Sequence, residues 1–426
     1  MPKAETTDAG SRALDLASRV AGKRLVIVEE ALKTHVAHWY EYDRAVCDIH
    51  RALGVETTVA AHTEISPDIR DSLPAEPVFT HTSWDHIYAH PDVWRRYVGI
   101  AHHNLRVYRT MNLFFSAYES FDCVFVPTVV IHHMIGWRAL ISRHMGRSFG
   151  RLVLLFRNNV GSYAPDSRLP TFKRNSVVWR HALRSFTPYV ESGAVCLATD
   201  SERLATEYEL VCGLRPVVFP SPRIAPPPKR SSGPGPATAL GPYTFGCLGP
   251  ARFEKGIGLL QAAMIRFLAA NPAADVRFLI QWNQDVINPD GSIHRPDPAL
   301  EADRRVVFLR DQIDSECYEQ LLADIDCMVL PYQRESYFAR ISGVAVEAVT
   351  AGIPVIYTED TWMEDLVRGV GAGLSIRSGD LDSLVDALSI AFAKREQLAS
   401  EARARANMAR NEHSAERFAN LLWGLP

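Results

Sequence analysis

Short apolar runs alternate with longer segments of helical periodicity along most of this 426-residue chain. Such alternation is typical of β-α-β units, and near-continuous apolar strands indicate a parallel sheet covered by helices on both faces. In the first half the predicted strands are Arg24–Val28, Glu56–Ala60, Val78–Thr80, Cys123–Pro127, Leu152–Phe156, Ala194–Ala198 and Val217–Phe219. In the second half they are Thr244–Leu248, Val276–Ile280, Val306–Leu309, Cys327–Leu330 and Pro354–Tyr357. The pattern predicts an α/β protein with two Rossmann-like domains.

A break in the apolar pattern divides the chain nearly in half. Between 220 and 242 proline, glycine and serine replace the periodic residues, as in a linker or surface loop. We therefore predict a first domain over 1–221, a linker over 222–242 and a second domain over 243–405. A helix is predicted over 406–426, packed outside the second sheet or crossing back to the first half.

Composition narrows the class of protein. Charged residues make up 22% of the chain and the formal net charge is -3, so no global field favours nucleic acid. The seven cysteines are far apart and form no CxxC pair, which indicates reduced thiols in a reducing compartment. The first twenty residues do not resemble a secretory signal, and no apolar stretch reaches the roughly 20 residues of a membrane span. We expect a cytoplasmic protein, with contact at the inner membrane surface left open.

The first candidate anion site follows the strand at Thr244–Leu248. A glycine turn at Gly249 brings the backbone to the carboxyl edge of the sheet, where open α/β folds bind ligands. Arg252 and Lys255 stand in this turn, and a guanidinium together with an ammonium group suits a diphosphate. The alternative is a solvated turn in which Glu254 pairs with one of the two cations.

The second candidate anion site is the start of a short helix. Ser342 is a good N-cap and Gly352 a good C-terminal stop. The free N–H groups at such a helix start attract phosphate, and Gly343 allows close approach. Glu347 lies one turn inside an otherwise apolar helix, so its carboxylate needs a partner such as a vicinal diol or an internal cation.

These segments occur in a specific order. Gly-x-x-Arg-x-Glu-Lys-Gly at 249–256 is followed by Leu-Pro-Tyr at 330–332, by Ser-Gly-Val-x-x-Glu-Ala-x-x-x-Gly-x-Pro-Val at 342–355, and by Asp-Leu-x-x-Leu at 380–384. Over about 150 residues this order resembles the donor domain of GT-B glycosyltransferases of the retaining, group 1 type, also called family 4. The resemblance implies two Rossmann-like domains that face each other across a cleft.

The same resemblance implies roles for individual residues. Arg252 and Lys255 would act on the diphosphate of a nucleotide-sugar as the catalytic cations, and Glu347 would bind the ribose hydroxyls. Further donor-binding residues would be Gly249, Arg340, Ser342, Gly343 and Val344. Two positions depart from the family: Pro250 follows the glycine where arginine is usual, and Ala339 stands eight residues before Glu347 where the family has a glutamate that contacts the sugar.

The acceptor side is less defined. After the first strand, His38, Trp39 and Tyr40 could shape a sugar pocket, because aromatic and imidazole groups stack on and hydrogen-bond to sugars. Equally, Trp39 and Tyr42 could form the apolar stripe of the following helix. Thr128 stands where relatives have a histidine after the fourth strand.

No metal site and no cofactor are predicted. His86 and His90 have i,i+4 spacing, but Pro91 breaks the helix. We assign no catalytic role to His132 or His133, which lie further along the chain than the family histidine. Asp324 and Asp326 are interpreted as the polar start of a strand.

The predicted function is transfer of a sugar, of hexose type, from a nucleoside-diphosphate sugar to a glycan, lipid-linked or small-molecule acceptor with retention, as in polysaccharide biosynthesis. A front-face route, in which the leaving phosphate takes the acceptor proton, fits the absence of an obvious base. The alternatives are a non-catalytic nucleotide- or carbohydrate-binding GT-B protein and a nucleotide-sugar epimerase of the same fold. The base, the sugar and the acceptor cannot be deduced from the sequence.

Overall fold

A computed structural model of the protein describes residues 15–35, 39–82, 92–130, 133–174, 176–222 and 241–425. The chain forms two compact units. The first comprises Met1–Gly161, Pro170–Ile224 and Ser414–Pro426, and the second comprises Ser162–Leu169 and Ala225–His413. The linker predicted at 222–242 lies almost wholly outside the described residues.

The first unit alternates strands and helices in chain order. Its strands are β1 (Arg24–Val28), β2 (Glu56–His62), β3 (Ala75–Phe79), β4 (Phe121–Val129), β5 (Phe149–Phe156), β6 (Val195–Thr199) and β7 (Val217–Val218). Its helices before the break are α1 (Trp39–Ala52), α2 (Pro67–Ser72), α3 (Val93–Ala117), α4 (Met134–His144), α5 (Ser176–Arg184), α6 (Thr187–Glu191) and α7 (Glu202–Cys212).

The strands of the first unit form one sheet in the order β3-β2-β1-β4-β5-β6-β7. All neighbouring strands are parallel. The chain order reverses between β1 and β4, so the helices that follow these two strands lie on opposite faces of the sheet. In open α/β sheets, ligands bind at the carboxyl ends of the strands at such a switch point.

The second unit repeats this architecture. Its strands are β8 (Tyr243–Cys247), β9 (Val276–Gln281), β10 (Val286–Ile287), β11 (Ile293–His294), β12 (Val306–Leu309), β13 (Cys327–Leu330), β14 (Val355–Thr358) and β15 (Gly373–Ile376). Its helices are α8 (Ile257–Ala270), α9 (Pro298–Glu301), α10 (Ser315–Asp324), α11 (Arg334–Tyr337), α12 (Gly343–Thr350), α13 (Trp362–Val370), α14 (Leu381–Ala393) and α15 (Arg395–Glu412).

Six strands of the second unit form a parallel sheet in the order β12-β9-β8-β13-β14-β15, with β10 and β11 as a separate antiparallel hairpin. Successive residues of β13 face opposite cores: Cys327 and Val329 belong to one hydrophobic cluster, Met328 and Leu330 to the other. Burial on both faces explains why these strands have continuous apolar sequences. The switch point lies between β8 and β13, which places a ligand-binding edge after Leu330 and after the glycine turn.

The C-terminal segment predicted as one helix over 406–426 is divided in the structure. Helix α15 ends at Glu412 in the second unit, and α16 (Ala415–Leu422) lies in the first unit. There the Phe418 ring packs edge-on against Tyr42 at 6.0 Å and Phe219 at 5.5 Å between centroids. The helix thus completes the core of the first unit. Among the described residues, no helix has the length and apolar content that a bilayer crossing requires.

Candidate functional site

The turn after β8 depends on two glycines. Gly249 has φ 86°, and its N–H donates to Oε1 of Gln281 at 2.6 Å. Gly256 has φ 70°, and a methyl group added there would lie 1.9 Å from the carbonyl oxygen of Pro331. A side chain at Gly256 would therefore force the turn away from the residues that follow β13.

A hydrogen bond joins the turns at the two strand ends. The N–H of Gln333, after β13, donates to the carbonyl of Glu254 at 2.9 Å. Together with the close approach at Gly256, this contact holds the basic turn against the end of the neighbouring strand. The two segments that carry the predicted anion sites thus meet at the switch point of the second sheet.

Lys255 is the most constrained cation of the turn. Its side chain is buried, and its Nζ lies 2.6 Å from the position that a Cβ of Gly249 would occupy. Burial, with a smaller contribution from the positive charge of Arg252, lowers the pKa of Lys255 to about 8. An ammonium group removed from water in this way gains strongly when an anion binds beside it.

Helix α12 begins at the same point. A Cβ at Gly249 would also lie 3.3 Å from Cγ2 of Val344, in the first turn of the helix. The side chain of Ser342 accepts a hydrogen bond from the N–H of Ala345 at 3.2 Å, as predicted for an N-cap. The Lys255 ammonium and the start of α12 therefore flank one point beside Gly249.

The C-terminus of α12 also ends as predicted. Gly352 has φ 71° and donates to the carbonyl of Val349 at 3.1 Å, while Ile353 donates to Ala348 at 2.9 Å. This pair of bonds is a Schellman motif, in which glycine adopts the left-handed conformation. The cap fixes the length of the helix at eight residues.

Glu347 has the partner that its burial requires. Its Oε2 accepts a hydrogen bond from the hydroxyl of Tyr318 in α10. The carboxylate also raises the pKa of Lys255, although burial of the lysine outweighs this effect. Glu347 thus hydrogen-bonds to a tyrosine and interacts electrostatically with the buried ammonium.

The two arginines of the predicted site are less constrained. Nη1 of Arg252 lies 3.4 Å from Oε1 of Glu254, so the ion pair considered as an alternative does form, although the Arg252 side chain stays 43% exposed. The Arg340 guanidinium lies 5.1 Å from the centroid of the Tyr337 ring. Burial raises the pKa of Tyr337, and the charges of Arg340 and Arg252 oppose the shift. Both guanidinium groups therefore stand near this ring.

Ala339 is fully buried. Sequence reasoning missed Arg334, the first residue of α11, whose side chain is also buried. Its guanidinium contacts Oδ2 of Asp360 at 2.6 and 2.9 Å and donates to the carbonyls of Ala164 at 2.8 Å and Ser167 at 2.9 Å. This buried cation holds the inserted segment Ser162–Leu169 on the second unit. Its partners are distant in sequence, so no local pattern indicates it.

The acceptor-side candidates of the first unit separate into two groups. His38 lies outside the described residues. Tyr40 is buried in the core, where its hydroxyl donates to Oγ of Ser72 at 3.1 Å, and Trp39 packs partly against the same core. Tyr42 belongs to this core as well. The apolar-stripe interpretation, made for Trp39 and Tyr42, therefore agrees with the structure, and Tyr40 packs in the same core.

A buried charged cluster at the end of β1 was not predicted. Burial, with a smaller effect of neighbouring Glu30, raises the pKa of Glu29 to about 7. Burial and the charge of Glu29 raise the pKa of Asp43 well above its usual range. The Arg157 guanidinium, 4.0 Å from the Tyr42 ring centroid, offsets part of both shifts. The only sequence signal was the pair of glutamates at the strand end.

Comparison with solved structures shows the GT-B fold. Anabaena Alr3699/HepE in complex with UDP and glucose has a TM-score of 0.60 at 13% identity, covering 94% of this chain and 98% of that one. Sucrose-phosphate synthase from Thermosynechococcus elongatus has a TM-score of 0.60 at 14% identity, covering 94% and 97%. The lipopolysaccharide outer core galactosyltransferase WaaB, in its apo form, has a TM-score of 0.55 at 13% identity, covering 94% and 99%.

A family model matches part of the second unit. Residues 242–393 match the family model described as "Glycosyl transferases group 1". This part of the chain is similar to that family, which confirms the predicted resemblance of the second unit to group 1 glycosyltransferases. No curated protein sequence matches the chain.

Proposed function

We propose that the protein transfers a hexose from a nucleoside-diphosphate sugar to a glycan or lipid-linked acceptor with retention of the anomeric configuration. The observation that carries the proposal is the convergence of a buried ammonium, Lys255, and the start of α12 beside Gly249. A diphosphate at this point would compensate the desolvated charge of Lys255. Support also comes from the similar fold of the Anabaena protein, which was solved with UDP and with UDP-glucose.

In this proposal the leaving diphosphate receives most of the stabilisation. Negative charge develops on its oxygens as the glycosidic bond breaks, and preorganised cations and N–H groups in a site of low dielectric favour that charge. Lys255 supplies a fixed ammonium, and the amides of Gly343 and Val344 supply the helix N-terminus. Arg252 and Arg340, which are more exposed, would close on the diphosphate when it binds.

Glu347 would bind the ribose. A carboxylate accepts two O–H bonds, which matches the two hydroxyls of the pentose. The hydroxyl of Tyr318 already donates to Oε2 of Glu347, so the orientation of the carboxylate is fixed before the ribose binds. Ala339 is buried and offers no carboxylate to the sugar, and we propose that the hexose is bound by other residues than in the family pattern.

Retention, the absence of a metal requirement and the acceptor remain part of the proposal. A front-face displacement, in which a leaving phosphate oxygen takes the proton of the acceptor hydroxyl, needs no separate base. Lys255 would neutralise charge on the leaving group without a divalent ion. His38 remains the proposed acceptor-side residue, since Trp39 and Tyr40 pack against the core.

We also propose that the protein works in the cytoplasm and contacts the anionic inner face of the membrane through α3. Trp94, Tyr97 and Leu105 are exposed and share one side of this helix, and Arg109, also exposed, lies beside them. Apolar side chains flanked by arginine favour an interface with anionic lipid. Sedimentation with phosphatidylglycerol vesicles, but not with phosphatidylcholine vesicles, tests this, and equal sedimentation with both would contradict it.

The donor is identified by thermal-shift screening with UDP-, GDP-, ADP- and TDP-sugars. The expected result is one nucleotide series that raises the melting temperature of the parent protein and leaves Lys255→Ala unchanged. Lys173→Ala, which removes an exposed lysine of the first unit, is the matched control and should respond like the parent. If every nucleotide stabilises Lys255→Ala as well as the parent, the donor site proposed here is wrong.

Turnover of the nucleotide-sugar, measured with and without acceptor, distinguishes sugar transfer from the alternative functions. Release of free nucleotide only when an acceptor is present supports transfer, and the product anomer reports retention. Release without an acceptor would favour an epimerase of the same fold. Nucleotide binding with no release under any acceptor mixture would favour a non-catalytic binding protein.

A further inference from the structure

A second group of chemically active side chains lies in the first unit. Glu30 follows β1, His103 stands in the middle of α3, and His133 directly precedes α4, after β4. Strands β1 and β4 flank the switch point of the first sheet, so the group occupies the edge where parallel sheets bind ligands. None of these three residues takes part in the proposed donor site.

The three side chains converge in the protein interior. The carboxylate oxygen of Glu30 and one nitrogen from each of His103 and His133 all lie within 4.8 Å of one another. His103 is fully buried, and Glu30 and His133 are nearly so. Nε2 of His103 is 3.6 Å from Oε2 of Glu30, and the two imidazole rings stack with centroids 4.3 Å apart.

The donor set is that of a divalent transition metal. Two imidazoles and one carboxylate form a common protein ligand set for zinc, which takes nitrogen and oxygen ligands at about 2.0–2.2 Å. A tetrahedral ion with such bonds holds its ligand atoms roughly 3.4 Å apart, so binding requires side-chain shifts of about an ångström. His81 is also buried, and its ring centroid lies 5.6 Å from that of His103.

The three ligands come from separate elements, which distinguishes the group from a local motif. A buried carboxylate is stable when it is paired or when it coordinates a metal. An ion here would join the end of β1 to α3 and α4, two helices that also pack on each other through the side chain of Asn104, whose Oδ1 accepts from the N–H of Gly136 at 2.8 Å. The site would therefore form only in the folded unit.

We propose that Glu30, His103 and His133 form a binding site for one Zn²⁺ ion, with His81 or a water molecule as the fourth ligand. The ion lies at the sheet edge of the first unit, whereas the residues proposed for the diphosphate belong to the second unit. The inference goes beyond the proposed function, because sugar transfer at Lys255 does not require the ion. It also revises the expectation of a protein without a metal.

The test is a zinc titration of the full-length protein after removal of metal by a chelator. The parent should bind one equivalent of Zn²⁺ in competition with a chromophoric chelator. Glu30→Gln, His103→Gln and His133→Gln should each lose more than about 100-fold in affinity, since loss of a mere outer-shell contact costs 10- to 100-fold. Cobalt should give the visible absorption of a four-coordinate ion in the parent but not in these three variants.

The matched control is His144→Gln in α4. His144 is a buried histidine of the same unit whose nitrogens contact Oγ of Ser148 at 2.9 Å and Oδ1 of Asn112 at 3.0 Å. This variant should bind zinc like the parent. Zinc affinity that is absent in the parent, or equal in the parent and in all three ligand variants, would overturn the proposal.

Measuring donor binding in the zinc-ligand variants distinguishes failure of the zinc proposal from failure of the proposed function. Because the donor residues lie in the second unit, the thermal shift by the identified nucleotide should persist in Glu30→Gln. The same measurement shows that the variant folds. A variant that loses zinc but keeps the donor shift supports both proposals, whereas loss of zinc binding in Lys255→Ala would show that the zinc site also depends on the second unit and would contradict the ligand set proposed here.

Discussion

Replacement of Lys255 by methionine removes the buried charge and preserves most of the side-chain volume. Burial lowers the pKa of this lysine from 10.5 to about 8. Each pKa unit corresponds to 1.36 kcal/mol, so the protonated side chain destabilises the ligand-free protein by about 3 kcal/mol relative to its neutral form. Lys255→Met should therefore leave the ligand-free protein at least as stable as the parent at pH 7.

The pH dependence of stability tests whether the buried charge of Lys255 destabilises the protein. Below pH 8 the lysine is protonated in both the folded and the unfolded chain, and the penalty is constant. Between about pH 8 and 10.5 the unfolded chain holds the proton more tightly, so the stability of the parent rises with pH. The difference in unfolding free energy between Lys255→Met and the parent should shrink by about 3 kcal/mol across this range.

Catalytic activity, unlike stability, should decrease in Lys255→Met. Loss of one preorganised cation from an anion site costs about 100- to 1,000-fold in transition-state stabilisation. Urea denaturation from pH 7 to 10.5 measures the effect on stability, kcat/KM with the identified donor measures the effect on the transition state, and Lys173→Met is the control for both. A variant that loses stability at pH 7 in proportion to its loss of kcat/KM would refute the reasoning, because Lys255 would then be a structural residue.

Three further substitutions test other parts of the second unit. Gly256→Ala should lower the free energy of unfolding, measured in urea, by more than about 2 kcal/mol. The control Gly146→Ala should cost less, because Gly146 has a similar φ of 73° but open space around it. Equal losses in the two variants would contradict the steric argument. Arg334→Met should cost about 3 kcal/mol because two carbonyls lose their donor and Asp360 loses one arginine, although its ion pair with Arg168 remains. A loss below about 1 kcal/mol would contradict this role. Glu347→Gln should weaken binding of the nucleoside diphosphate about tenfold in calorimetric titration and leave pyrophosphate binding unchanged. If the affinities for both ligands fall equally, Glu347 does not bind the ribose.

Much of the sheet structure could be predicted because buried parallel strands have a simple apolar signature. The predicted strands at Arg24–Val28, Val306–Leu309 and Cys327–Leu330 agree with the structure at both ends. The hairpin of β10 and β11 was missed because its strands have two residues each. Strand β15 at Gly373–Ile376 was missed because it lies at the sheet edge and is only partly buried, so its sequence is not continuously apolar.

The donor-side segments were predictable because their signals are local. Glycines at positive φ, an N-cap and a cation within eight residues can be recognised without knowledge of the fold, and the switch point then brings Gly249, Lys255 and Val344 together. By contrast, Arg334 and His103 act through residues far away in the chain. Their partners become neighbours only when the sheets form, so the periodicity and spacing of the sequence do not indicate these two residues.

The second unit is built from two separate stretches of chain, which constrains any attempt to study it alone. The polypeptide passes from one unit to the other at 161/162, 169/170, 224/225 and 413/414. A fragment cut at the proline-rich segment would lack Ser162–Leu169, and with it the carbonyls that accept the guanidinium of Arg334. Dissection of this protein therefore calls for a fragment in which that octapeptide is covalently rejoined, or supplied in trans as a synthetic peptide.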